Sequence, residues 1–149
     1  MPIDVLIVED NAVFREALEV LLGLESDLRV TGSVEDGRSA LAACAVHPPD
    51  VVLVDYRLPD LDGVETARAL RGVCPGAAVV ALTASSDEPV VAALREAGAV
   101  SCITKDRELR EIVAAVRDAA GTISRSSRSF VMQDTAPASR RAATTGSSL

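Results

Sequence analysis

The chain has 149 residues, of which 48% are hydrophobic, 25% are charged and 2% are aromatic, and its formal net charge is −7. This composition is typical of one globular domain whose core is filled by aliphatic side chains. The charge is uneven, because residues 122–149 carry four arginines against one aspartate and leave residues 1–121 strongly acidic. Since an acidic surface repels phosphates, we expect no direct nucleic acid binding by residues 1–121.

The cysteines and the N-terminus indicate the compartment. Cys44, Cys74 and Cys102 are odd in number and form no CxxC pair, which favours reduced thiols over disulfides or a zinc site. The first apolar run is short and bounded by Asp4 and Glu9, so it predicts neither a signal peptide nor a membrane span. We therefore expect a cytoplasmic protein without membrane association.

The first part of the chain alternates a predicted strand with a predicted helix twice. Residues 5–8 (VLIV) form a short apolar run, and Phe14, Leu18 and related apolar residues then recur with the period of an amphipathic helix. Residues 28–33 form a weaker strand, and residues 37–46 form a helix that ends before two prolines.

The middle of the chain repeats the same unit with a stronger strand. Residues 51–54 (VVLV) are apolar throughout, as expected of a strand buried on both faces. Asp62 and Glu65 have the spacing of a capping box, which predicts a helix from there to about Cys74. The next apolar run, 77–82, predicts the fourth strand.

Two further units complete the pattern. Ser85 or Ser86 is a candidate N-cap for a helix that ends at Gly98. Residues 100–103 predict the fifth strand, and apolar residues of helical period then continue to Gly121.

Five strands that alternate with five helices predict an α/β, doubly wound, five-stranded parallel sheet with helices on both faces. We assign this domain to residues 1–121. Residues 122–149 are rich in Ser, Thr, Ala and Arg without periodicity, and we expect them to form a disordered tail.

Polar residues follow four of the predicted strands at the point where each strand ends. They are Glu9 and Asp10, Asp55, Thr83, and Lys105. The carboxyl ends of parallel strands meet at one edge of the sheet, where ligands of such folds bind. Carboxylates there repel each other by about 4 kcal/mol per pair at ~4 Å, so a cation is expected among them. Oxygen ligands of this kind suit Mg²⁺.

This set of side chains contains the groups that phosphoryl transfer requires. Asp55 is the expected nucleophile and would become an acyl phosphate, while Thr83 and Lys105 would contact the phosphoryl oxygens. No histidine or additional carboxylate is placed as an obvious base for hydrolysis, so the phosphate should persist. A persistent phosphate favours a signalling role over enzymatic hydrolysis.

Several motifs occur together in an order that resembles the receiver domain of two-component response regulators. The resemblance covers about residues 3–121 and rests on IVEDN, VDYRLPDLDG, LTA, AGA and ITKD. It implies a flavodoxin-like receiver fold with strand order 2-1-3-4-5. It also implies Mg²⁺ as cofactor, a sensor histidine kinase as phosphodonor, and no enzymatic activity beyond slow autodephosphorylation.

The resemblance also assigns a role to each residue of the cluster. Glu9 and Asp10 would be the metal-binding acids, Asp55 the phosphoacceptor, Thr83 the switch hydroxyl and Lys105 the switch lysine. The resemblance implies that the domain binds a downstream protein or its own output domain. It also implies that phosphorylation can produce a homodimer.

Four further residues belong to the predicted site. The backbone carbonyl of Arg57 would be a third protein ligand to the metal, and Arg57 and Ser85 would tune the lifetime of the phosphate. Ala84 follows the switch threonine in the LTA motif. Cys102 departs from the family, because receivers usually have Phe or Tyr three residues before the lysine. Phosphorylation would then be read out through the loop after Thr83 without an aromatic rotation, or be read out weakly.

Alternative interpretations remain open at this point. The Lys105 to Asp106 junction resembles the NarL/FixJ-type subgroup, whose members usually carry a C-terminal helix-turn-helix domain, and this sequence has none after the predicted receiver. The chain is then either a stand-alone receiver or the N-terminal fragment of such a transcription regulator. A pseudo-receiver that docks a partner constitutively is a second alternative. An aspartate-based phosphohydrolase is disfavoured, because Arg57 stands where its second acid would be.

Overall fold

The computed structural model describes residues 2–124 and 131–132, and its strands and helices alternate along the chain. In chain order they are β1 (Ile3–Val8), α1 (Ala12–Gly23), β2 (Leu28–Val34), α2 (Gly37–Val46), β3 (Val51–Asp55), α3 (Gly63–Val73), β4 (Ala78–Thr83), α4 (Glu88–Ala97), β5 (Ser101–Thr104), α5 (Leu109–Ser124) and β6 (Val131–Met132). Each of the five predicted strands and helices is present.

All strand pairs of the sheet are parallel, and the order is β2-β1-β3-β4-β5-β6. The predicted order 2-1-3-4-5 is therefore confirmed. Strand β6 was not predicted; it pairs with β5 through Val131 and Met132, within the stretch for which a disordered tail is predicted. Helix α5 ends at Ser124, three residues beyond its predicted end. The remainder of the predicted tail, 125–130 and 133–149, lies outside the described residues.

The core consists of two apolar layers, one on each face of the sheet. On one face, Leu18 of α1 and Ile112 of α5 pack with Leu53 of β3. On the other, Leu70 of α3 and Leu94 of α4 pack with the neighbouring β3 residues. Because both faces are covered, every residue of β3 is buried, which accounts for its unbroken apolar sequence.

The helix ends confirm two predictions and correct one. The capping box of Asp62 and Glu65 opens α3, and Gly98 ends α4 in the left-handed conformation. The predicted N-cap at Ser85 or Ser86 is wrong, since α4 begins at Glu88. Pro89 accounts for the later start, because proline fits the first turn of a helix, where its missing N–H is not needed.

The loop 84–87 is consequently longer than predicted, and it lies beside the carboxyl end of β4. Among the described helices, none combines the length and the apolar sequence needed to cross a bilayer.

Candidate functional site

The strands bring the predicted acidic residues together at the carboxyl edge of the sheet. Glu9 and Asp10 directly follow β1, and Asp55 is the last residue of the neighbouring strand β3. One potential ligand atom from each of these three carboxylates lies within 4.8 Å of the others. Glu9 and Asp55 are buried, whereas Asp10 is exposed. The cluster is therefore buried at Glu9 and Asp55 and open to solvent at Asp10.

Lys105 inserts its ammonium between two of the acids. Its Nζ lies 2.9 Å from Oε1 of Glu9 and 3.1 Å from Oδ2 of Asp55. The same Nζ lies 4.8 Å from the ring centroid of Phe14, a distance at which the ring face attracts a cation. Burial alone would lower the pKa of Lys105, but the close contacts with the carboxylates of Glu9 and Asp55 outweigh this and raise it. Lys105 thus stays charged and serves as a counterion for the acids.

Glu9 is fully buried, and its backbone and side chain are held by the start of α1. The N–H of Asn11 donates to Oε2 of Glu9 at 3.1 Å, and Arg15 donates to its carbonyl oxygen at 2.7 Å. Burial raises the pKa of Glu9, and the nearby charge of Asp55 adds to this, while Lys105 and Asn11 partly offset it. Its Oε1 contacts the Lys105 ammonium but accepts no well-directed hydrogen bond from the described residues.

The donor set fits a small, hard divalent cation. Glu9, Asp10 and Asp55 offer carboxylate oxygens, which are the ligands that Mg²⁺ prefers. One lysine balances three carboxylates only in part, so a dication would reduce the remaining negative charge. The weakly satisfied Oε1 of Glu9 and the open side at Asp10 are consistent with such an ion.

The segment after Asp55 is held tightly against the site. The N–H of Arg57 donates to Oδ1 of Asp55 at 3.3 Å, and the N–H of Gly63 donates to the carbonyl of Tyr56 at 2.7 Å. A Cβ at Gly63 would come within 2.7 Å of the Tyr56 Cα, so only glycine permits this approach. The backbone at Arg57 therefore lies next to the Asp55 carboxylate.

Thr83, the last residue of β4, is buried, and its hydroxyl is engaged by the following loop. Its Oγ1 donates to the carbonyl oxygen of Ser85 at 2.7 Å and lies 4.0 Å from Sγ of Cys102. The N–H of Lys105 donates to the carbonyl of Thr83 at 2.8 Å, which joins the ends of β4 and β5. Ala84 and Ser85 are exposed, while Cys102 is fully buried.

Three residues contact the cluster that were not assigned to it from the sequence. Asn11 and Arg15 fix Glu9, and Phe14 lies beneath the Lys105 ammonium. Asn11 also caps α1, with Oδ1 accepting from the N–H of Phe14 at 2.9 Å. The helical period indicates only a core position for Phe14, although its place in the first turn after the acidic pair is an available signal.

Comparison with known sequences gives a consistent result. The profile of the family described as response regulator receiver domain matches residues 5–117. The probable transcriptional regulatory protein NarL of Mycobacterium tuberculosis is 35% identical over 116 residues, which cover 78% of this chain and 54% of that protein. The protein-glutamate methylesterase/protein-glutamine glutaminase 5 of Myxococcus xanthus is 38% identical over 135 residues, which cover 83% of this chain and 38% of that protein. The chain spans about half the length of the first of these relatives, or less for the second.

Solved structures agree with the sequence matches. The signal receiver domain of the putative response regulator NarL from M. tuberculosis superposes with a TM-score of 0.77 at 34% identity, covering 80% of this chain and 97% of that one. The response regulator domain of CheB from Thermotoga maritima gives a TM-score of 0.76 at 25% identity, covering 81% and 98%.

Proposed function

The chain belongs to the family of response regulator receiver domains, and from this premise we propose that it is a phosphoacceptor in a two-component system. In this proposal a sensor histidine kinase is the phosphodonor, Asp55 receives the phosphoryl group, and the phosphorylated domain changes its affinity for a downstream partner. The observation that carries the proposal is the cluster of Glu9, Asp10 and Asp55 with the Lys105 ammonium in contact with two of them.

Asp55 is the nucleophile because it is the carboxylate at the end of the central strand, with neighbours that can hold a phosphoryl group. One carboxylate oxygen attacks the phosphorus of a phosphohistidine. The new P–O bond forms as the P–N bond breaks, and the imidazole nitrogen leaves with that electron pair and takes a proton from solvent. The product is an acyl phosphate on Asp55, which carries the signal.

The charges around Asp55 support this transfer. Mg²⁺ would be held by Glu9, Asp10, Asp55 and the carbonyl of Arg57. When bound, it would supply positive charge next to the phosphoryl oxygens. The Lys105 ammonium, now between Glu9 and Asp55, is close enough to pair with a phosphoryl oxygen after transfer. The N–H of Arg57 already donates to Asp55 and helps to orient its carboxylate.

Thr83 is the proposed switch residue, and its present hydrogen bond defines what must change. Its hydroxyl donates to the carbonyl of Ser85, so it must leave this acceptor in order to donate to a phosphoryl oxygen. Ala84 and Ser85 would then move with the loop that leads into α4. Cys102 contacts Thr83 where the family usually has an aromatic residue, so we propose that the signal passes through this loop without a ring rotation.

A second candidate function follows from the length of the relatives. NarL of M. tuberculosis is named a probable transcriptional regulatory protein, and the chain covers 54% of it. The same domain could therefore be the receiver part of a longer transcription regulator, with its own output domain as partner. A pseudo-receiver that does not accept phosphate is the remaining alternative.

The decisive experiment is incubation of the chain with acetyl phosphate and Mg²⁺, followed by intact-mass and peptide mass spectrometry. We expect one added phosphoryl group on Asp55, and none in the Asp55→Asn variant, which has the same size and lacks the nucleophilic carboxylate. Beryllofluoride with Mg²⁺ should give a stable adduct on the parent chain only. A label on any other residue, rapid turnover of acetyl phosphate, or no reaction would refute the proposal.

A further inference from the structure

The segment between the proposed phosphoacceptor and α3, residues 56–62, is tied at its middle to a different helix. We refer to residues 56–62 as the phosphoacceptor loop. Its ends are held by the hydrogen bonds of Tyr56 to Leu82 and to Gly63, at 2.8 and 2.7 Å. At its middle, Asp60 reaches across to the N-terminus of α2, which no sequence motif of the site predicts.

Both carboxylate oxygens of Asp60 accept hydrogen bonds from the first turn of α2. Oδ1 accepts from the N–H of Gly37 at 2.8 Å, and Oδ2 accepts from the N–H of Arg38 at 2.9 Å. The third N–H of this turn, from Ser39, donates to Asp36, the N-cap of α2, at 2.7 Å. The first N–H groups of a helix lack partners within the helix, so Asp36 and Asp60 together satisfy this turn.

The same junction is closely packed. A Cβ at Gly37 would lie 2.6 Å from Oγ1 of Thr66 in α3 and 2.9 Å from Cβ of Leu61 in the phosphoacceptor loop. Gly37 is buried, so the start of α2, the loop and the start of α3 touch without intervening solvent. The Asp60 hydrogen bonds therefore connect parts of the chain that are already in contact.

The ionised form of Asp60 is strongly favoured in this position. Burial acts to raise its pKa, but hydrogen bonds from the backbone N–H groups of Arg38 and Gly37 outweigh it and lower the pKa to about 2. The Arg38 side chain contributes little, since its Nε is 3.9 Å away and the side chain is 78% exposed. The contact is thus a charged carboxylate on a helix N-terminus.

We propose that Asp60 is a positioning residue for the phosphoryl site, because it holds the phosphoacceptor loop against α2 and so fixes the backbone of Arg57. This inference rests on the proposed function. Arg57 lies three residues before Asp60, and its N–H already contacts the Asp55 carboxylate. Loss of the Asp60 contact would let the middle of the loop move, so that the Arg57 N–H and carbonyl would no longer keep a fixed place beside Asp55.

The test compares Asp60→Ala and Asp60→Asn with Asp36→Ala. Asp36 caps the same helix with one hydrogen bond of the same kind but does not join it to the loop, which makes it a matched control. All variants should weaken α2. Hydrogen exchange is measured on residues 56–62 without metal, and Mg²⁺ affinity is measured by the fluorescence of Tyr56, the only tyrosine in a chain without tryptophan.

We expect faster exchange of the phosphoacceptor loop in both Asp60 variants and not in Asp36→Ala. We also expect Mg²⁺ binding to weaken roughly tenfold in the Asp60 variants, as for other residues that orient metal ligands, and to change little in Asp36→Ala. The inference would be overturned if the phosphoacceptor loop exchanged at the same rate in the Asp60 variants and in Asp36→Ala. It would also be overturned if these variants bound Mg²⁺ with the same affinity. If the parent chain itself does not respond to Mg²⁺, the proposed function fails, and the exchange data still decide whether Asp60 holds the loop.

Discussion

At the scale of single residues, the site depends on how buried charges are balanced before any ligand binds. Glu9 is fully buried and is paired with Lys105, whose side chain is 26% exposed. A buried carboxylate that loses its partner is strongly destabilising, because no solvent replaces the lost interaction. Lys105 therefore has a structural role in the resting domain, in addition to its proposed role toward the phosphoryl group.

The first prediction concerns the removal of this counterion. Lys105→Met should lower the free energy of unfolding by about 1 to 3 kcal/mol near neutral pH, less than for a fully buried pair because the lysine is partly exposed. The loss should shrink as the pH falls, because Glu9, whose pKa is already raised by burial, becomes protonated and no longer needs a cation. Urea denaturation of both proteins at about pH 5 and pH 8 measures this. A loss that is independent of pH would contradict it.

The second prediction concerns Asp60 and acid. Its pKa is lowered to about 2 from an ordinary 3.8, so the folded state favours the ionised form. The stabilisation is present above the ordinary pKa and is lost as the pH falls toward the folded value. Because the side chain is partly exposed, we expect a contribution of at most about 1 kcal/mol. The stability difference between the parent and Asp60→Asn should be constant above about pH 5 and should decrease below about pH 4.

The residues of the site differ in how far they could be predicted from sequence. Glu9, Asp10, Asp55 and Lys105 lie at or just after the carboxyl ends of strands, and the parallel arrangement of strands is enough to predict that they meet. Asp60 lies within a loop, and its contact with α2 depends on how two helices pack on one face of the sheet. The separation of Asp60 and α2 along the sequence does not indicate that they are in contact.

At the scale of secondary structure elements, strands were predicted more accurately than helix starts. Strands β3 and β4 are apolar up to their last residue and buried throughout, and burial on both faces leaves little choice of register. The start of α4 was misplaced because Ser85 and Ser86 are good caps by type, whereas Pro89 fixes the first turn further along the chain. A local capping preference of about 1 kcal/mol is easily overridden in this way.

The third prediction concerns α3 and uses two of its glycines. Gly63→Ala should destabilise the domain by more than about 2 kcal/mol, because the new Cβ would meet the backbone of Tyr56 at 2.7 Å, and backbone cannot easily move away. Gly72→Ala lies in the same helix with nothing within 4 Å of the new Cβ, and should stabilise the domain by about 0.5 to 1 kcal/mol. Thermal or urea unfolding measures the change in stability for both variants. Changes of the same sign in Gly63→Ala and Gly72→Ala would contradict the prediction.

At the scale of the whole molecule, the two edge strands of the described sheet, β2 and β6, differ in length. Strand β2 has seven residues and lies at one edge. At the other edge, the two-residue β6 pairs with only the first two residues of the four-residue β5. An exposed strand edge presents unpaired backbone groups and can pair with another chain. Because β5 leads directly into Lys105 and carries Cys102 beside Thr83, its outer edge is close to the proposed switch.

The fourth prediction follows from this arrangement. Deletion of residues 125–149 removes β6, so the backbone N–H groups of β5 that point away from β4 should exchange with solvent roughly tenfold faster. Val131→Pro should have a similar effect, since it removes a backbone donor and fixes the dihedral angle, while Ala143→Pro, outside β6, serves as the control. Hydrogen exchange of these outward-pointing β5 amides measures the change. If the intact chain, the deletion and Val131→Pro exchange at the same rate, then β6 does not protect β5 in solution, and the edge beside the switch is open to a partner at all times.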